Sequence, residues 1–246
     1  MNIQKYSLVV LLLVMIFSSC SESTFEQNGE EQGYDYYPIV IGNEWIYEVD
    51  STIYLQDGAD VLKSISQVKE EITELLDPDG EKYIITKSVR KSDTDPWVVN
   101  DKFLVENDGE KLYKTELNRR FIKLVFPVRE GKKWDGNVHF DSSADVDVFG
   151  NMLAVFEDWD YKIQQEVNAV EIANNTYNDV IRVEQSDSGN VGINYSRNYE
   201  QYAKGVGLIY RENNALSSQI KTPDVSWEDA AQEGFIIKYT LLSHNQ

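Results

Sequence analysis

Few groups in this chain can do chemistry: one thiol, Cys20, two imidazoles, His139 and His244, and 42 carboxylates among 246 residues. Hydrolysis by a Ser-His-Asp arrangement needs an imidazole held against a serine, and a Gly-x-Ser-x-Gly elbow occurs nowhere. His244 lies three residues from the C-terminus by inclusive count, where chains fray. His139 sits between Val138 and Phe140, the setting of an alternating strand residue. Zinc requires clustered His and Cys, which this inventory does not supply. Calcium takes carboxylate and carbonyl oxygens, and Asp141, Asp145, Asp147 and Asn151 crowd one stretch. Asp145-x-Asp147 followed by Gly150 imitates part of a calcium loop, but Phe149 replaces an oxygen ligand and Phe156 stands where a bidentate Glu belongs. These four residues are therefore the candidate Ca²⁺ ligands, against the simpler reading of a solvated acidic loop. Glycoside hydrolysis needs two carboxylates across a cleft. Glu157, Asp158 and Asp160 flank Trp159, yet spacing alone brings no two of them face to face. No catalytic residue is assigned, and no cofactor other than calcium is in view.

The elements that position these groups are strands. Period-two alternation rich in Val, Ile and Tyr runs through the chain beyond residue 36, and heptads are absent. Asp77-Pro78-Asp79-Gly80, between residues 64–76 and 81–90, reads as a hairpin turn, because Pro presets one angle and Gly accepts a positive one. Asn107-Asp108-Gly109 does the same between 97–106 and 110–116. Further strands are expected at 45–55, 119–128, 161–172, 179–185, 195–203, 206–211 and 235–242. Residues 67–76 contain good helix formers, but Val68, Ile72 and Leu76 fit period two as well as period four. Residues 226–232 open on Ser226, carry acids in the first turn and end before Gly234, which predicts one short helix. The fold class is all-β and mainly antiparallel, either rolled into a barrel-like sheet or stacked as a sandwich, with at most one or two short helices. Residues 140–152 are the most loop-like interior stretch.

One spacing occurs twice. Tyr37-Pro38, Gly42 and Trp45 are matched by Phe126-Pro127, Gly131 and Trp134. Proline cannot donate to a ladder, so it belongs at a strand start or edge, and the glycine then allows a sharp turn before the tryptophan enters the next strand. Each unit reads as a corner where the aromatic before Pro can fold onto the Trp to close one end of the core. The alternative is a pair of stacking platforms for sugar rings. Gly205-x-Gly207 lacks the third glycine of a dinucleotide loop and reads as a hairpin turn.

The N-terminus sets an address. Residues 1–19 combine Lys5, an apolar run at 7–17 too short to span a bilayer, and the small residues Ser18-Ser19 before Cys20. Residues 20–35 are polar and acidic, the composition of a tether, and 36–246 form a single β-rich domain. Once the leader with Lys5 is removed, 22 basic residues face 42 acidic ones, a net charge of −20. Such a surface repels phosphate backbones, which argues against nucleic acid as a partner. With one cysteine the chain forms no internal disulfide, so packing alone must hold the fold.

Phe17-Ser18-Ser19-Cys20 resembles a lipobox, with Phe17 in place of the usual Leu. That feature, the acidic tether, Tyr37-Pro38-Ile39-x-x-Gly42-Asn43-x-Trp45-x-Tyr47, the second corner and Tyr202-Ala203-Lys204-Gly205-Val206-Gly207-Leu208 together resemble the uncharacterised lipoproteins of the Bacteroidota cell envelope. The resemblance implies acylation at Cys20, a membrane partner reached through the N-terminal lipid, and a β-rich fold. The implied site is the cell envelope, at the outer membrane facing either periplasm or exterior. It carries no activity. The expected function is a non-enzymatic binding or assembly module for an envelope protein or ligand. The alternatives are a sugar-binding or carbohydrate-active accessory protein, read from an exposed Trp beside paired acids, and an apolar-ligand carrier, read from a deep cavity.

Overall fold

The computed structural model describes residues 32–55, 58–166, 168–188 and 192–245. The leader, Cys20 and the tether through residue 31 lie outside them. Among the described residues there are sixteen strands: β1 (Glu44–Leu55), β2 (Asp60–Leu75), β3 (Lys82–Arg90), β4 (Val98–Asn107), β5 (Lys111–Glu116), β6 (Arg119–Val125), β7 (Lys133–Trp134), β8 (Val146–Val148), β9 (Asn151–Leu153), β10 (Tyr161–Gln165), β11 (Val170–Ile172), β12 (Asn175–Tyr177), β13 (Val180–Asp187), β14 (Asn194–Ala203), β15 (Gly207–Ser217) and β16 (Glu233–Asn245). Twelve of them form one antiparallel sheet in the order β6-β5-β4-β3-β2-β1-β16-β15-β14-β13-β10-β7. Two meanders thus meet where the first strand pairs the last, Val49 opposite Tyr239 and Ser51 opposite Ile237.

The sheet rolls until its two edges meet, so the open alternative between barrel and sandwich is decided in favour of the roll. At the seam the Ile122 N–H donates to the Gly136 carbonyl at 2.8 Å, and the Trp134 Nε1–H donates to the Ile122 carbonyl at 2.8 Å. Alternation produces this shape. Trp45, Tyr47 and Val49 of β1 face inward and are buried while Glu48 and Asp50 face water. One continuous core of Val, Ile, Leu and aromatic residues then fills the interior from β1 to β16.

The turns obey local chemistry. Asp77 Oδ1 accepts from the Glu81 and Lys82 N–H groups, each at 3.0 Å, and Asp108 Oδ1 accepts from those of Glu110 and Lys111. The short helix α1 (Trp227–Ala230) begins where Ser226 Oγ accepts from the Asp229 N–H.

Three expectations are corrected. The loop-like stretch 140–152 contains β8 and reaches into β9, a two-stranded hairpin held by Gly150 N–H donating to Asp147 Oδ1. The expected strand at 161–172 divides into β10, which joins the large sheet, and β11, which pairs β12 instead. His139 lies in a turn rather than a strand, its ring 5.8 Å from that of Tyr113. Residues 32–35 dock on the roll: the Val128 N–H donates to the Gln32 carbonyl, the Tyr34 ring packs 4.7 Å from Phe126, and Asp35 pairs Lys204 at 3.5 Å.

Candidate functional site

Among the residues singled out from spacing, the first corner meets the Lys204–Leu208 turn. Tyr37 stacks on Trp45 with centroids 6.0 Å apart, and Gly42 takes a φ of 91° as the chain turns toward β1. Trp45, 2% exposed, donates from Nε1 to the Val206 carbonyl at 2.6 Å, and the Tyr47 hydroxyl donates to the Leu208 carbonyl at 3.0 Å. Two motifs 161 positions apart are therefore one locked unit. At the second corner Gly131 has a φ of 78°, but Phe126 turns to Tyr34, and Trp134 packs on Tyr161 at 5.5 Å instead. Pro38 and Pro127 both lie outside strands. Both indoles spend their N–H groups on backbone carbonyls of the protein.

The acidic candidates disperse. Asp141 Oδ1 accepts from the backbone and hydroxyl of its own neighbour Ser143, which lowers its carboxyl below the ordinary value. Asp147 serves the β8–β9 turn, Asp145 is exposed, and Asn151 lies in β9. No group of three or more His, Cys, Asp or Glu side chains positioned to share a cation occurs among the described residues. Glu157 and Asp158 are exposed on a turn, and Asp160 pairs Lys133 at 2.9 Å. Trp159 between them faces inward, packed on Phe156 at 5.1 Å and Tyr161 at 6.0 Å.

Trp159 leads to a feature that spacing did not reveal. Residues 155–159 cover a cavity of about 240 Å³ inside the roll, reached past Leu117, which is 77% exposed. Its apolar wall includes Phe121, Phe156, Phe235 and Ile237, and its polar wall Lys123, Gln185, Glu200 and Arg211. Apart from Phe156 on the turn after β9, these side chains come from β6 and from the adjacent strands β13 to β16, and rolling the sheet is what brings β6 against the others.

Beneath and beside the cavity lie two ionic trios. Lys114, 5% exposed, sits 3.4 Å from Glu70 and 3.1 Å from Glu116. Glu200, 1% exposed, sits 2.6 Å from Lys123, 4.0 Å from Arg211 and accepts from the Tyr202 hydroxyl at 2.7 Å. Burial pushes the Glu200 carboxyl up, but Lys123 and Arg211 outweigh it and hold it below its ordinary value. Burial likewise pushes Glu116 up, and Lys114 and Arg211 outweigh that, leaving it at about 2. Burial raises the Tyr47, Tyr161 and Tyr202 hydroxyls well above theirs, so they stay neutral donors. Sequence reasoning missed Glu70, Lys114, Lys123, Glu200 and Arg211 because a charge on a strand normally marks the wet face. Lys123 between Ile122 and Leu124, for example, follows the alternation of a strand whose charge faces water.

No protein-family model matches the chain, and no curated protein matches it. Two crystal structures align with it, a "putative lipoprotein" from Parabacteroides distasonis and a "putative exported protein with YmcC-like fold" from Bacteroides fragilis. Each is 11% identical, with 85% of this chain and 98% of the other covered at a TM-score of 0.34. That overlap is too loose to transfer a role.

Proposed function

We propose that this chain is a cell-envelope lipoprotein, held at a membrane by acyl chains on Cys20, whose rolled sheet is a non-enzymatic module for binding a small molecule. The observation that carries the binding role is the half-open 240 Å³ cavity, lined in part by Val155, Phe156 and Trp159 and by side chains with buried polar atoms that have no partner in the protein. A core built for stability alone would fill that volume with side chains. The anchor is supported by the lipobox-like stretch before Cys20, since each buried methylene of an acyl chain contributes about 0.8 kcal/mol and two or more chains hold a domain stably. The outer membrane is the proposed site, with the acidic residues after Cys20 as a tether.

Two measurements test this. Mass spectrometry of the protein from its native membranes is expected to find Cys20 acylated, and Cys20→Ser is expected to leave the membrane fraction. An unacylated Cys20 would remove the anchor. Native mass spectrometry of the same preparation is expected to detect a small molecule at one copy per chain, with occupancy reduced by Val155→Phe, which narrows the cavity. A chain that carries nothing after gentle extraction would remove the binding role.

A further inference from the structure

The cavity wall carries Glu116, Arg119, Lys123, Glu200 and Arg211, three cations against two carboxylates, in a chain whose net charge is −19. The carboxylates are already engaged, Glu116 by Lys114 at 3.1 Å and Glu200 by Lys123 at 2.6 Å. Arg211 is held only loosely. Among the described residues its one carboxylate oxygen in ion-pair range is Glu200 Oε1 at 4.0 Å, and its Nε–H has no acceptor. The Tyr239 ring, 3.9 Å from the guanidinium, fixes its plane without satisfying its in-plane donors.

Two neighbours on the wall are also unsatisfied. Gln185 is 1% exposed and neither amide atom has a partner, and the Trp159 Nε1–H has none. Polar groups buried unpaired are costly, and native proteins rarely keep four such atoms around one space. Donors dominate this set: guanidinium, indole and amide N–H groups, with one amide oxygen to accept. Burial, together with Arg211 and Lys114, holds Lys123 below its ordinary value despite Glu200, a setting that an added anion relieves. The rest of the wall is aromatic and aliphatic. The volume of about 240 Å³ lies below the roughly 300–1,000 Å³ of drug-sized pockets, which leaves room for roughly ten non-hydrogen atoms.

We propose that this cavity binds a small organic monoanion, its carboxylate seated on Arg211 and Gln185 with the Trp159 N–H as a further donor, and its short apolar or aromatic body against Phe121, Phe156 and Phe235. The inference rests on the reading of the chain as a small-molecule-binding module. A guanidinium fork matches a carboxylate bidentately, and one negative charge balances the single surplus positive charge of the wall, whereas a dianion would overshoot it. A neutral sugar would satisfy the donors but leave the surplus positive charge of the wall unbalanced and set hydroxyls against phenyl rings.

The test uses the folded soluble domain with the tether retained, 3-phenylpropanoate and octanoate as probes, and 3-phenylpropanamide as the neutral match. Calorimetry at pH 7 is expected to give one site per chain, with both carboxylates at least tenfold tighter than the amide and the Trp fluorescence altered. Gln185→Leu is expected to weaken carboxylate binding at least tenfold while raising the melting temperature of the ligand-free protein, because two unpartnered buried atoms are removed. That opposite pair of effects separates a binding role from a structural one. Arg211→Lys, which keeps the charge and loses the fork, is expected to weaken binding as well. Equal affinity for carboxylate and amide would overturn the anion assignment and leave the binding module standing. Failure of both carboxylates to bind would overturn the assignment too, and if protein from native membranes also carried no ligand, both readings would fall.

Discussion

Glu200 shows how the interior tolerates charge. A lone carboxylate at 1% exposure would be forced neutral, yet Lys123, Arg211 and the Tyr202 hydroxyl keep it ionised. Removing it should expose the cost of the arrangement, since Lys123 and Arg211 would become buried cations without a counter-charge. Glu200→Ala is therefore expected to lower unfolding free energy by about 3–5 kcal/mol in chemical denaturation, as breaking one partner of a buried pair does. Replacing Lys123 and Glu200 together by Met and Leu should cost much less, because no charge is then stranded. If the single change were as mild as an exposed pair, near 0–1 kcal/mol, the trio would not be buried in solution.

At the scale of elements, the β14–β15 hairpin and the start of β1 hold each other. Gly207, at a φ of 98°, lies so close to the Trp45 ring that an added Cβ would fall 3.2 Å from Nε1. A side chain there would be strained in its backbone and would press on the indole that donates to Val206. Gly207→Ala is expected to cost about 1–3 kcal/mol, read as a lower melting temperature together with a red shift of Trp emission as Trp45 gains water. A destabilisation without the fluorescence change would mean that the hairpin, not the indole contact, takes the strain. The two corners that share one spacing diverge here: the first has the Lys204–Leu208 turn to lean on, while the second spends Trp134 on the seam with β6.

For the whole molecule, pH sets two effects against each other. The chain carries 42 acids, so lowering pH from 7 first relieves self-repulsion across an anionic surface. The buried carboxylates act the other way. Glu116 is depressed from 4.5 to about 2, so its contribution is complete above about 4.5 and is lost as pH falls from there toward 2. Glu200, also depressed, adds in the same direction. Melting temperature is expected to peak on the acid side of neutrality, near pH 5, and to fall between about 4.5 and 2, with Glu116→Gln flattening that fall. A protein that kept gaining stability down to pH 3 would show that neither trio is ionised inside the roll.

The strand content and hairpin turns of this protein were legible in sequence because they depend on neighbours: alternation, Asp77-Pro78-Asp79-Gly80, Asn107-Asp108-Gly109, and the Ser226 cap. The class of fold followed from them. Pieces as short as β7, β8 and β12 were not, since two or three residues carry no period and pair only because the long strands bring them alongside. The cavity was hidden for a different reason. Lys123, Gln185, Glu200 and Arg211 belong to four strands and resemble wet-face residues, and a two-residue period fixes which side of a strand a residue takes, not whether that side is inside or out. Rolling the sheet until β6 met β7 decided that question, turning one face of separate strands into an inner wall on which opposite charges pair away from bulk water.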